Sequence, residues 1–100
     1  MKKIKVSILL STYNEEKFIK KTINEIFKYI KNSEIIIVDD NSTDQTIKII
    51  KTLKYKNIKL YIRKNRGLAS AFLLALINSS GDTVGWVDSN MNTLIKKFPL

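Results

Sequence analysis

Glu34-Ile35-Ile36-Ile37-Val38-Asp39, followed at once by Asp40-Asn41-Ser42-Thr43-Asp44, decides the fold. A β-branched apolar run bounded by acids is the mark of a strand covered on both faces. The polar stretch after it is a turn, and Ser42 with Gln45 has capping-box spacing for a helix that points Ile47, Ile50 and Leu53 inward. Upstream, Ile4-Lys5-Val6-Ser7-Ile8-Leu9-Leu10 alternates and then turns continuously apolar, as a strand entering a sheet does. Thr12 and Glu15 again have capping-box spacing, with Asn14 a competing N-cap. Phe18, Ile19, Ile23, Ile26, Phe27 and Ile30 then mark one face of a helix ending near Lys31-Asn32. Downstream, residues 57–63 alternate Ile58, Leu60 and Ile62 against Lys59, Tyr61 and Arg63, the pattern of a strand nearer an edge. Residues 67–79 form a helix apolar nearly all round, with Gly81 as its C-cap. Residues 83–88 make a fourth strand, and residues 92–98 a short helix before Pro99.

The order βαβαβαβ with short connections predicts an α/β fold of three layers, α/β/α, around a mostly parallel, Rossmann-like sheet. At 100 residues, with 44% apolar and 27% charged side chains, the chain is one globular domain and not a disordered tail. Having neither cysteine nor histidine, it excludes disulfides, thiolate metal sites, cysteine nucleophiles and the Ser-His-Asp triad. Carboxylates, amides, hydroxyls, Lys and Arg are left to do any chemistry. The net charge of +9 attracts polyanions; it is equally read as lysines that merely solvate helix faces. The opening Met1-Lys2-Lys3 has the charge of a signal-peptide n-region, but the apolar run Val6 to Leu10 is too short to continue one. Leu68 to Ile77 is about half the ~20 residues of a membrane span and reads as a buried helix in a soluble domain.

The few acids are placed unevenly. Glu15, Asp39, Asp40, Asp44 and Asp88 all fall at or just past the carboxyl ends of predicted strands, the rim where open α/β sheets bind ligands. Asp44 also reads as a first-turn helix acid, and Asp40 as a turn residue. Neighbours on a strand point to opposite sides, so Asp39 and Asp40 cannot both face one ligand. One is a scaffold acid bonded to backbone amides, and Asp40, just past the strand, is the better-placed ligand. Asp88-Ser89-Asn90-Met91-Asn92 sets oxygen donors at alternate positions, which suits a hard cation bridging a diphosphate; Asn90 or Asn92 also fits as a helix N-cap. No Walker A sequence and no G-x-G-x-x-G are present, so a nucleotide needs a cation and basic residues to neutralise it. Arg63, Lys64 and Arg66, after the third strand, are placed for that.

Taken in order, four segments resemble the landmarks of the family-2 inverting glycosyltransferases: Val6-Ser7-Ile8-Leu9-Leu10-Ser11-Thr12-Tyr13-Asn14-Glu15, Ile36-Ile37-Val38-Asp39-Asp40-Asn41-Ser42-Thr43-Asp44, Asn65-Arg66-Gly67-Leu68-Ala69-Ser70-Ala71 and Val87-Asp88-Ser89-Asn90. The dolichyl- or polyprenyl-phosphate mannose and glucose synthases are the most similar in flavour. The resemblance spans nearly the whole chain and implies the GT-A nucleotide-diphospho-sugar transferase fold, incomplete here. Residues 1–100 would be its N-terminal, donor-binding part. It implies that Thr12, Tyr13 and Glu15 line the pocket for base and ribose, with Asp39 and Asp40 in the same nucleotide-binding set and Asp40 reading the base edge. Arg66 matches a basic position near the nucleotide. Asp88 matches the first acid of D-x-D, which holds Mg²⁺ or Mn²⁺ against the diphosphate of a UDP- or GDP-sugar.

Two departures matter. The second acid of D-x-D is Asn90, a neutral oxygen donor that weakens the hold on the cation, with Asn92 placed to assist. The family's acceptor site and general base lie on a further stretch, so no catalytic residue is assigned within the 100. The implied acceptor is a polyprenyl phosphate or a glycan, and the implied location is the cytoplasm, at the cytoplasmic face of the membrane for a lipid acceptor. The fourth strand would be left as an open edge, which predicts self-association or pairing with a complementary chain. The alternatives are a nucleotide-binding module that transfers nothing and a receiver-type phosphate domain, whose paired acids would follow the first strand and not the second. Nucleic-acid binding lacks a stacking platform or recognition motif.

Overall fold

The computed structural model describes residues 4–64 and 67–88, with the side chains of Leu68 and Asp88 excepted. Four strands and three helices alternate: β1 Val6–Thr12, α1 Ile19–Tyr29, β2 Ser33–Asp39, α2 Thr46–Thr52, β3 Ile58–Ile62, α3 Leu68–Ile77 and β4 Thr83–Asp88. All pairings are parallel, in the order β3-β2-β1-β4. The predicted three-layer architecture is therefore present. β2 is buried along its whole length, as its unbroken apolar run requires.

Alternation along the strands divides the core in two. Val6, Ile8 and Leu10 of β1 and Ile35 and Ile37 of β2 meet Ile19, Ile23, Ile26 and Ile30 of α1 and Ile50 of α2. Leu9, Ile36 and Val38 face the other way, onto Ala71 and Ala75 of α3. Two crossovers run over one face, and the third carries the chain over the other to place β4 beside β1. The carboxyl ends of β1 and β4 thus lie side by side at the point where strand order reverses, where open α/β sheets form their ligand crevice.

Several local expectations change because the groups they need are engaged elsewhere. Thr12 does not cap α1: it is still within β1, and its hydroxyl binds Asp39. Asn14 is not the cap either; it adopts a positive φ of 52° and bonds the loop after β2, so α1 starts later, with Phe18 at its N-cap. Ser42 likewise spends its hydroxyl on Asp39, and α2 begins only at Thr46. On α2, Ile49 packs beside Ile50 and Leu53, while Ile47 is half-buried and outside the core cluster. Gly81 is not the α3 C-cap, a place taken by Asn78. Gly81 instead lies against β1, where a Cβ would come within 2.8 Å of the Ser7 amide nitrogen.

α3 departs most from expectation. Only one side of it touches the sheet, so Leu73 is 56% and Ile77 79% exposed. With Ala69, Phe72 and Trp86, Leu73 lines an apolar hollow beside β4, an edge strand among the described residues. None of the described helices is long and apolar enough to cross a membrane. The predicted helix over residues 92–98 lies outside the described residues.

Candidate functional site

The site is built from the ends of β1, β2 and β3. Beyond the strands the backbone ladder continues: the Asp40 amide donates to the Thr12 carbonyl at 3.0 Å, and the Arg63 amide to the Asp39 carbonyl at 2.9 Å. Thr12, Asp40 and Arg63 are thereby set side by side along one rim. Ser11 is paired with Asp88, so the end of β4 adjoins the end of β1.

Thr12 and Asp39 are register partners on the face toward α1 and α2. Both are buried, and the Thr12 hydroxyl donates to Asp39 Oδ1 at 2.6 Å. The Ser42 hydroxyl donates to the same oxygen at 2.6 Å, and the Ser42 amide to Oδ2 at 2.7 Å. Asp39 is therefore the scaffold acid of the pair: fully buried, it shapes the loop rather than lining the cleft. Charge-assisted bonds of this kind are the strong ones, and they make the entry into the loop rigid.

Asp40 is oriented differently. Its Oδ1 accepts from Arg63 Nε at 2.5 Å in a nearly buried ion pair. Arg63 Nη1 donates to Ser70 Oγ at 2.6 Å and Nη2 to the Gly67 carbonyl. Arg63, placed by sequence as a phosphate neutraliser, is thus a staple joining β2, β3 and the start of α3. Oδ2 of Asp40 takes no hydrogen bond from the described residues and is the acceptor the rim offers a ligand.

The loop after β1 is laced to the loop after β2. Asn14 Oδ1 accepts from the Thr43 amide at 2.8 Å and the Asp44 amide at 3.3 Å, and the Asn14 amide donates to Ser42 Oγ at 2.9 Å. The Glu15 amide donates to Thr46 Oγ1 at 2.8 Å. Asp44 accepts from the Thr46 amide and hydroxyl and from the Glu16 amide. Burial alone would raise the pKa of Asp44, but the Thr46 and Glu16 donors outweigh it and hold the carboxyl below its usual range. Asp44 is a brace of this kind, in keeping with its reading as a helix-start acid. Glu15 and Tyr13 are half-buried at the rim. Asn14, Glu15, Glu16, Lys17, Phe18 and Asp44 enclose a cleft of about 400 Å³.

Glu15, Asp39, Asp40 and Asp44 therefore share one rim with the end of β4, though two of the four carboxylates are consumed in holding loops. Arg66, Asn90, Asn92 and the side chain of Asp88 lie outside the described residues. Among the described residues no three carboxylates converge on a common point. By residue type alone, Asp88, Asn90 and Asn92 would offer oxygen donors to a cation. An all-oxygen set with one charge fits a hard ion that keeps waters and shares a diphosphate, and so fits Mg²⁺ or Mn²⁺.

Sequence reading missed a second polar cluster, at the opposite end of the sheet. Glu34 is buried; its Oε2 accepts from the Ser7 hydroxyl at 2.6 Å, the Ser80 amide at 2.7 Å and the Ser80 hydroxyl at 2.8 Å, and Lys59 lies 3.2 Å from Oε1. Burial pushes its pKa up, but these donors more than offset that and lower it. The available signal was parity: Ser7 and Glu34 have the same inward phase on neighbouring strands.

The parallel β3-β2-β1-β4 sheet flanked by helices is the α/β arrangement of the GT-A glycosyltransferases. Residues 7–91 match the family described as Glycosyl transferase family 2, and the chain belongs to that family. A dolichyl N-acetyl-alpha-D-glucosaminyl phosphate 3-beta-D-2,3-diacetamido-2,3-dideoxy-beta-D-glucuronosyltransferase of Methanococcus voltae is 40% identical over 84 residues, covering 77% of this chain and 26% of its own length. Among solved structures, Staphylococcus aureus TarS in complex with UDP-GlcNAc is 34% identical with a TM-score of 0.77, covering 86% of this chain and 26% of that one. The mannosyltransferase PcManGT of Pyrobaculum calidifontis, in complex with GDP-Man and Mn²⁺, is 25% identical with a TM-score of 0.78, covering 95% and 31%. The chain spans about a quarter of the length of the curated relative, 26%.

Proposed function

We propose that this chain is the N-terminal, donor-binding part of a glycosyltransferase that moves a sugar from a UDP- or GDP-sugar to a lipid-phosphate or glycan acceptor. The observation that carries the reading is the strand order, which sets the end of β1, with Thr12 and Tyr13, beside the end of β4, with Asp88. A nucleotide held at β1 and β2 thereby has its diphosphate directed toward β4. Asp40 Oδ2 is the acceptor for a base N–H, and Tyr13 and Glu15 border base and ribose, while the buried Thr12, expected in the same pocket, supports the loop from behind through Asp39. The ligands named for TarS and for the mannosyltransferase support a nucleotide sugar as donor.

Asp88, Asn90 and Asn92 would hold Mg²⁺ or Mn²⁺, with Arg66 nearby. The ion supplies positive charge where the departing diphosphate gathers negative charge. No residue of this chain is assigned as general base or acceptor site, and the open β4 edge is assigned to self-association or a complementary chain. The chain works in the cytoplasm, at the membrane face when its acceptor is a polyprenyl phosphate.

Calorimetric titration of UDP and GDP, with and without Mn²⁺, tests this. We expect uptake that requires the ion and is abolished by Asp88→Ala, while Asp44→Ala costs mainly stability. Equal losses of affinity in the two variants, or no uptake at all, defeat the assignment. Uptake without donor hydrolysis identifies the chain as a binding module alone.

A further inference from the structure

The net charge is concentrated in one layer. Residues 17–32 and 45–57, which carry the helices α1 and α2, contain nine lysines against a single acid, Glu25, with Glu16 and Asp44 lying just before the two segments. Every one of those lysines is exposed. This layer accounts for eight of the nine net charges, and the rest of the chain, rim included, is nearly balanced. Lysine overuse spread over the surface would not produce that division.

The two helices form one continuous surface. Both cover the same core cluster, and Phe27 of α1 stacks on Tyr55 after α2 with ring centroids 4.4 Å apart. The Tyr55 hydroxyl also bonds Asn24 of α1 at 2.5 Å. Lys17, Lys20, Lys21 and Lys28 border a shallow hollow on α1, while Lys48 and Lys51 extend the charge onto α2. The ion pairs Lys59–Glu34 and Arg63–Asp40 use none of the nine. Tyr29 and Tyr55, 39% and 38% exposed, add amphipathic rings.

We propose that the outer face of α1 and α2 docks on an anionic lipid bilayer. Lysine is a point charge on a flexible, apolar stem, suited to a fluid sheet of phosphates that offers no fixed geometry. Paired recognition of bases favours arginine, and neither of the chain's two arginines, Arg63 and Arg66, falls within residues 17–32 or 45–57. Partly exposed tyrosines match the headgroup region, where an apolar ring body and a polar tip are both accommodated. Lys17 borders both the basic hollow and the rim cleft, so docking through this face brings the rim close to the lipid surface. The inference stands on charge placement and does not require the transferase reading.

Sedimentation with vesicles of phosphatidylglycerol and phosphatidylcholine in equal parts, in moderate salt, tests it without any donor. The full chain should bind these vesicles and not pure phosphatidylcholine, with binding that weakens as salt rises. Lys20→Glu/Lys21→Glu/Lys48→Glu should weaken binding about tenfold or more, whereas Lys2→Glu/Lys3→Glu/Lys5→Glu, with the same change in net charge, should weaken it far less. Circular dichroism checks folding, and the milder Lys20→Gln/Lys21→Gln/Lys48→Gln variant gives the comparison if the first unfolds. Absence of vesicle binding, equal losses in the two variants, or tighter binding to a short duplex DNA overturns the proposal.

Discussion

Arg63 holds Asp40 across the carboxyl ends of β3 and β2, and the same guanidinium fastens Gly67 and Ser70 where α3 begins. A single side chain thus sets both the orientation of the rim carboxylate and the path of the chain into its third crossover. Planar, multiply bonded arginine does this in a way lysine cannot.

Arg63→Met should therefore lower nucleotide affinity by about tenfold while costing only about 1–2 kcal/mol of stability, since the pair is nearly but not fully buried. Parallel calorimetry and urea unfolding check this. A lysine at the same position should restore little of the affinity. Unchanged affinity in the methionine variant would show that Asp40 needs no support.

Asp39 presents the opposite balance. Asp39→Ala leaves the Thr12 hydroxyl and the Ser42 amide and hydroxyl without their acceptor, at an expected cost of about 2–4 kcal/mol. Thr12→Val removes one of those bonds and should cost less. Urea denaturation of the two variants gives the order directly, and a reversed order would mean that the buried carboxylate is not the centre of the network.

Acid should destabilise the fold in part through Glu34. Its carboxyl is held below the ordinary 4.5 in the folded chain, so the unfolded chain binds the proton more readily. The stabilisation is fully present above the unfolded value and disappears as pH falls through the folded one. Glu34→Gln should flatten the melting-temperature profile below about pH 4.5 while lowering stability by about 1–2 kcal/mol at neutral pH. An unchanged slope in that window would assign the acid sensitivity elsewhere. Asp44 adds a contribution of the same sign, lowered from 3.8.

The edge at β4 predicts association. Trp86 and Leu73 line the hollow beside that strand, and both the backbone edge and the apolar face of α3 are open among the described residues. Light scattering should show the isolated chain above monomer mass, with Leu73→Lys shifting it toward monomer. The fluorescence of Trp86, the only tryptophan, should change on dilution. A concentration-independent monomer would contradict this.

Periodicity and composition made the element order legible, together with the buried strand β2 and the gathering of acids at strand ends, because these depend on neighbours a few residues apart. The same local pattern misplaced the helix caps and made α3 look buried. Thr12 and Ser42 are committed to Asp39, and four strands cover only one side of an all-round apolar helix.

The sequence by itself determined the alternation of strands and helices, the inward face of each strand and the residue types on the rim. Tertiary structure decided which carboxylates remain for a ligand, which helices share a layer and where the charge accumulates. The reason is that a polar side chain is satisfied by whatever the fold brings to it: Thr12 meets Asp39 27 positions on, and Glu34 meets Ser80 46 positions on. Spacing along the chain contains no record of either meeting.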